Sequence, residues 1–262
     1  MSIKSKEVVE LISNWLLERL KASGCKGFVV GVSGGIDSAV ASTLSAITNK
    51  PVLALNLPIN QESGQKNRAN EQIIWLTKNY SNVSSLEVNL TSAFKSFVGS
   101  LEGDGVGELA EANSASRLRM MTLYAYANSK NYLVVGTGNK VEDYGIGFFT
   151  KYGDGGVDVS PIADLLKSEV YALSSYLNIP DSIQNATPTD GLWGDNRSDE
   201  DQIGASYDQL EWALNFHDSG FSDETLNDEQ KRVLDIYTGR HYATKHKLEM
   251  PPVCMIPANM KE

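Results

Sequence analysis

The stretch Gly31-Val32-Ser33-Gly34-Gly35-Ile36-Asp37-Ser38 contains the residue types that handle phosphate, in the order that handling requires. Glycines let an anion approach the backbone, under the free N–H groups and the positive dipole end of a following helix. Asp37 and Ser38 fall at that helix start, where a carboxylate can hold a magnesium ion and a hydroxyl can donate to phosphate. No Gly-Lys-Ser/Thr follows the glycines, which excludes the common phosphate loop. Gly-x-Gly-x-x-Gly is absent too, so this is no dinucleotide fingerprint. A purely structural Gly-Gly turn would need neither the serine nor the aspartate at these spacings.

Such a loop works only when a strand and a helix hold it. Gly27 to Val32 is a short apolar run that reads as a buried parallel strand, and Ala39 to Ile47 is small and apolar enough for a helix packed on a sheet. Residues 5 to 24 carry Val8, Val9, Leu11, Ile12, Trp15, Leu16 and Leu20 at helical spacing. A second strand lies inside Pro51 to Pro58, a helix spans Gln61 to Tyr80, and a third strand is expected over Leu86 to Leu90. Gly99 to Glu108 is Gly-rich and acidic and reads as a mobile loop. Ser114 to Ser129 reads as helix, and Tyr132 to Val135 as a fourth strand ending in Gly136-Thr137-Gly138-Asn139.

Strands alternating with helices predict an α/β fold, a doubly wound parallel sheet flanked by helices with right-handed crossovers. Ligands in such sheets bind at the carboxyl ends of strands near the switch in strand order. The first and fourth strands both end in glycine turns, so two ligand-facing loops share one sheet edge.

The chain has 262 residues, enough to bury a full core as a single domain over 1–262. A formal net charge of −10 argues against nucleic acid or an anionic membrane as partner. The two cysteines, Cys25 and Cys254, make neither a disulfide framework nor a zinc site and read as plain thiols of a reducing cytoplasm. No apolar run reaches membrane-spanning length, and the charged N-terminus is no signal peptide. In the second half, Phe148 to Asp158 is too Gly-rich and charged for a core element. Asp164 to Leu177 reads as a helix carrying Lys167, Pro188 to Gly194 as a turn-rich loop, and Asn196 to Gln202 as a polar, acidic stretch. Helices follow over Ser206 to His217 and Asp223 to Thr238, with basic residues before a proline stop in the tail Thr244 to Pro252.

Ser-Gly-Gly-x-Asp-Ser resembles the pyrophosphate loop of enzymes that split ATP into AMP and pyrophosphate, with a Rossmann-like sheet of the adenine nucleotide alpha hydrolase kind. Asn113-x-x-x-Arg117-x-Arg119-Met120, Gly136-Thr137, Phe148 to Asp158, Lys167, Pro188-Thr189, Ser198-Asp199-Glu200 and His246-Lys247 narrow the resemblance. Together they look like the ammonia-dependent branch of the NAD synthetase family, over nearly the whole chain. Phe-Phe-Thr-Lys-Tyr-Gly-Asp-Gly-Gly is the most specific piece. The resemblance implies ATP-dependent amidation of nicotinic acid adenine dinucleotide (deamido-NAD) with ammonia, through an adenylated intermediate that releases pyrophosphate and then AMP.

By that resemblance, Gly31, Val32, Ser33, Gly34, Gly35, Ile36, Asp37 and Ser38 hold the ATP phosphates, Thr137, Lys167 and Thr189 contact ATP, and Asp37 and Glu142 bind Mg2+. Lys167, Asp37 and Thr189 form the expected catalytic set, with Lys167 neutralising charge at the α-phosphate. Arg117, Lys151, Asp158, His246 and Lys247 are expected on the dinucleotide, joined by Asn113, Phe148 and Asp154. The family also implies a homodimer whose substrate residues cross the interface. Where relatives often carry Arg before a Leu-Pro pair, this chain has Asn56, and Val141 to Gly147 is one residue longer than in some of them. The rival readings are another amidoligase of the GMP synthetase kind, a tRNA-thiolating enzyme, and a non-catalytic nucleotide sensor. A thiolating enzyme would want a basic RNA face or Cys pairs, and the sequence has neither.

Overall fold

Four parallel strands form one sheet in the order β3-β2-β1-β4, in a computed structural model that describes residues 3–60, 63–101, 106–189, 198–220 and 226–261. They are β1 (Gly27–Gly31), β2 (Val52–Asn56), β3 (Val83–Glu87) and β4 (Tyr132–Val135). The chain builds outward from β1 to β3, then returns to place β4 on the other side of β1. The switch point therefore lies between β1 and β4, whose register pairs Val30 with Val135.

Alternation along the strands splits the core in two. Phe28 and Val30 face α1 (Ser5–Ser23), α2 (Ile36–Ile47) and α3 (Ser63–Asn79), together with α6 (Lys167–Tyr176) and α7 (Asp181–Gln184). Val29, Leu53, Leu55 and Val134 face α4 (Thr91–Gly99) and α5 (Glu108–Lys130). Helices thus cover both faces, as the doubly wound reading requires. A third cluster joins a π-helix (Lys140–Gly145) to α8 (Asp199–Ile203), α9 (Tyr207–Ser219) and α10 (Asp228–Thr244) through Val141, Ile146, Ile203, Leu210, Val233 and Tyr237.

α2 is buried almost all round, yet carries Ser42, Thr43 and Ser45. Their hydroxyls donate to the carbonyls of Ala39 (3.0 and 2.7 Å) and Ala41 (2.8 Å), one turn back, so no buried hydroxyl is left unmatched there.

Several boundaries differ from the sequence reading. The third strand is Val83–Glu87, not Leu86 to Leu90; four of its five residues are exposed, so no apolar pattern marks it. α4 lies over residues to which the sequence reading assigned no element, and α5 begins at Glu108, well before Ser114. The helix expected from Asp164 starts at Lys167, and α10 runs from Asp228 to Thr244. Residues 102–105 of the expected mobile loop, and 190–194 of the turn-rich loop, lie outside the described residues.

Candidate active site

β1 delivers the chain into Ser33-Gly34-Gly35, and Gly34 turns with φ +87°, a conformation that glycine adopts without strain. Ser38 closes the loop: its hydroxyl accepts from the Ser33 N–H (3.2 Å) and donates to the Gly35 carbonyl (2.9 Å). The Ser38 hydroxyl expected on phosphate is engaged inside the loop in this structure. Gly35 occupies the N-cap of α2 and brings no side chain to cap it. The first N–H groups of α2 are thus left to an incoming anion. Asp37 sits one residue inside the helix and does not serve as its cap.

The Asp37 carboxylate turns instead toward the switch point. Its Oδ2 takes the Lys167 ammonium at 2.5 Å and its Oδ1 takes the Asn139 amide at 3.0 Å. The same ammonium reaches Glu142 Oε1 at 2.9 Å. Lys167, first residue of α6 and 2% exposed, is thus shared by two carboxylates from α2 and the π-helix. Glu142 Oε1 also accepts from the Tyr207 hydroxyl at 2.5 Å, and the Tyr207 ring lies 4.8 Å from the ammonium.

Burial opposes charge on all three groups, and their mutual attraction decides the outcome. For Lys167, burial works to lower the pKa, but Asp37 and then Glu142 outweigh it, and the lysine stays protonated. For Glu142, burial is likewise opposed by Lys167 and the Tyr207 hydroxyl, and the net shift is downward. Asp37 is raised, because burial outweighs what Lys167 returns and Glu142 adds like charge.

The stretch expected to be one residue longer, Val141 to Gly147, lies largely in the π-helix. Its hydrogen bond runs from the Ile146 N–H to the Val141 carbonyl (3.1 Å), five residues back. That wider turn absorbs one residue more than an α-turn. Asn139 caps it, accepting from the Glu142 N–H at 3.0 Å, and so keeps Glu142 aimed at Lys167.

These groups open onto a cavity of about 620 Å³ at the carboxyl ends of β1 and β4. Both glycine turns line it, Gly31 to Ser38 and Gly136 to Gly138, as do Thr137, Thr189, Glu142 and Lys167. Every residue expected on ATP or the metal therefore meets in one place. The dinucleotide set divides. Asn113, Phe148, Asp154 and Lys247 line the cavity, whereas Arg117, Lys151, Asp158 and His246 do not.

Those four hold the cavity wall or sit at its rim. Asn113, Ser116 and Arg117 share one face of α5 and grip the Phe148–Asp158 loop. Thr150 donates to Asn113 (2.6 Å), Ser116 to Asp154 (2.7 Å), and Arg117 to the Lys151 carbonyl (3.2 Å). Asp158 accepts from the Val134 N–H (2.7 Å) and the Tyr124 hydroxyl (2.9 Å), tying the loop to β4. Loop and tail exchange lysines. Lys151 donates to the carbonyls of His246 (2.5 Å) and Glu249 (3.2 Å), and Lys247 to those of Gly147 and Phe149, both at 2.8 Å. His246 is exposed, with its ring nitrogen 3.1 Å from the Ala243 carbonyl.

Asn56 is buried, and its amide goes to Asn70 (3.1 Å) and Glu87 (3.4 Å). Arg68 of α3 and Arg119 of α5 line the cavity, bonded to the carbonyls of Gly34 (3.4 Å) and Leu57 (3.1 Å). Sequence reasoning missed Arg68, Asn139 and Tyr207. Asn139, directly after Gly136-Thr137-Gly138, was the one with a readable signal; nothing near Arg68 or Tyr207 marks them.

Among the described residues no group of three His, Cys, Asp or Glu side chains is placed to hold a metal ion. Two oxygen donors, Asp37 and Glu142, do converge on a single cation, the Lys167 ammonium. That donor set fits Mg2+, which is commonly bound by one or two carboxylates together with substrate phosphates.

A parallel sheet with an anion site at its switch point defines a nucleotide-binding α/β protein. Within that class the chain belongs to the NAD synthase family, whose profile matches residues 8–251. An NH(3)-dependent NAD(+) synthetase of Syntrophomonas wolfei is 38% identical over 97% of this chain and 98% of its own length. Among solved structures, the NMN synthetase of Francisella tularensis superposes with a TM-score of 0.83 at 32% identity, covering 98% of this chain and 100% of that one. The NH3-dependent NAD synthetase of Campylobacter jejuni gives a TM-score of 0.79 at 26% identity, with 97% and 100% covered. No helix among the described residues is long and apolar enough to cross a membrane.

Proposed function

We propose that the protein is a ligase that amidates deamido-NAD to NAD with ammonia, at the expense of ATP. The observation that carries the reading is one buried ammonium, Lys167, held by two carboxylates beside the uncapped N-terminus of α2. The nicotinate carboxylate attacks the α-phosphorus, the bond to the β-phosphate oxygen breaks, and pyrophosphate leaves. Ammonia then adds to the acyl carbon of the mixed anhydride, AMP departs with the carboxylate oxygen, and a proton is lost. The first step brings two anions together, so preorganised positive charge dominates the barrier. The α2 N–H groups bind the phosphates, Lys167 carries charge to the α-phosphate, and Thr137 and Thr189 orient ATP. Mg2+, held by Asp37 and Glu142 with the phosphates, would supply Lewis-acid charge at the phosphate oxygens.

Phe148 and Asp154 line the acceptor's share of the cavity. Arg117, Lys151, Asp158 and His246 lie off it, and we assign them to a homodimer in which they face the partner's substrate. Leu109 and Met121, each 64% exposed, lie eight residues before and four residues after Arg117 on α5 and supply exposed apolar side chains for that contact. The protein works as a single domain in the cytoplasm.

A second reading comes from the similarity to an NMN synthetase: the acceptor is the acid mononucleotide. Incubation with ATP, Mg2+, ammonium chloride and either acid decides between them. Dinucleotide amidation with the higher kcat/KM supports the main reading, and preference for the mononucleotide supports the second. A nucleotide sensor would release no pyrophosphate with either, and another amidoligase would leave both unchanged.

A further inference from the structure

The two carboxylates at the site are each held twice, once by the shared lysine and once by a neutral donor. Asp37 has Asn139 on its second oxygen, and Glu142 has the Tyr207 hydroxyl. The lysine is the mobile partner in the proposed chemistry: an ammonium that serves the α-phosphate cannot keep both carboxylates at full strength. The neutral donors then decide whether those carboxylates stay aligned.

Tyr207 is built for that task. It is the first residue of α9 and is buried, with its N–H donating to Glu200 Oε1 at 2.8 Å. The capping box of Ser206 and Gln209 fixes the helix start on which it sits. Its hydroxyl also lies 3.3 Å from Asp199 Oδ2. A hydroxyl has one proton to give, and the much shorter contact identifies Glu142 as its acceptor. Lys167 and Tyr207 both donate to Glu142 Oε1.

Resting on the reading of Glu142 as a metal ligand, we propose that Tyr207 is a positioning residue that fixes Glu142 for Mg2+ and thereby links α9 to the phosphate site. Outer-shell partners of this kind commonly contribute about 10–100-fold in metal affinity or activity.

The test compares Tyr207→Phe, which keeps the ring beside Lys167 and removes only the hydroxyl, with the wild-type protein. Mn2+ affinity is measured by electron paramagnetic resonance in the presence of α,β-methylene-ATP, which cannot release pyrophosphate. The variant should bind Mn2+ about 10-fold more weakly, bind the analogue without metal as wild type does, and need correspondingly more Mg2+ for turnover at unchanged KM for the dinucleotide. Placed on Glu142→Gln, the same change should cost no further Mn2+ affinity. Unaltered Mn2+ affinity, or an equal loss for metal-free analogue, overturns the proposal. A wild-type experiment does not depend on the variant folding. Among the eleven tyrosines, labelled with 13C at Cζ, one resonance should move when Mg2+ is added to the analogue complex, and none moving would refute it. Wild-type turnover of deamido-NAD is scored separately, so a wrong substrate and a wrong role for Tyr207 give different results.

Discussion

Lys167→Met keeps the length of the side chain and deletes the charge that Asp37 and Glu142 share. Two consequences follow, and they separate. The first is on stability: a buried ion cluster that loses one partner leaves an uncompensated charge, a loss of about 3–5 kcal/mol. For a chain of this size each kcal/mol moves Tm by about 2–4 °C, so a drop of roughly 6–20 °C is expected. The sign of its pH dependence comes from the carboxylates. In the wild type the raised Lys167 pKa contributes stability fully present below the unfolded value of about 10.4, and lost only as pH rises toward the folded one. In the variant, burial and like charge raise both Asp37 and Glu142, and a buried carboxylate with a raised pKa becomes less costly as pH falls through that value. The Tm gap should therefore be wider near about pH 8 than near about pH 5.5. The second consequence is kinetic. Single-turnover pyrophosphate release without ammonia isolates adenylation, and its rate should fall by roughly two to four orders with little change in ATP affinity. A wild-type adenylation rate with only a raised KM for ATP would refute the reasoning, as would a Tm gap that widens on acidification.

Asp37→Asn retains the bond from Asn139 with its amide oxygen on that side, which sets its NH2 against the Lys167 ammonium, and it removes a charged oxygen from the metal's donor set; Mg2+ titration of activity should show a far higher requirement or no activity. Gly138→Ala would drive a Cβ into the Asp143 carboxylate, which is itself buried among Asp154, Glu142 and Asp37. That variant should lose about 1–3 kcal/mol in denaturant titration, and much of its activity. Lys151→Ala frees the tail from the Phe148–Asp158 loop, so the KM for deamido-NAD should rise well above that for ATP, while trypsin cuts the tail faster; equal effects on both substrates would point to a solvated lysine.

The loop and its sheet could be read early because their signals are local. A buried apolar strand, two glycines and a small-residue helix occupy consecutive positions, and β4 repeats the pattern with Gly136 and Gly138. β3 was misplaced because an exposed edge strand carries no burial pattern, and α4 was missed because a nine-residue helix leaves little periodicity to find. The ATP and metal residues came from family spacing, and the cavity gathers them together. Tyr207 was illegible for another reason. Its bond to Glu142 spans 65 residues, and a tyrosine at a helix start reads as ordinary core until the third cluster is seen to close against the π-helix. Likewise, the role of Asn113 in gripping the loop depends on α5 starting at Glu108, ahead of the helix read from Ser114.

The most direct test of the account follows the oxygen atoms. Deamido-NAD carrying 18O in its nicotinate carboxylate is turned over with ATP, Mg2+ and ammonium chloride, and the nucleotide products are analysed by mass spectrometry. Attack of the carboxylate on the α-phosphorus predicts one 18O in AMP, none in pyrophosphate, and NAD formed in equal amount. Unlabelled AMP, label in pyrophosphate, or ADP and phosphate in place of AMP and pyrophosphate would contradict it.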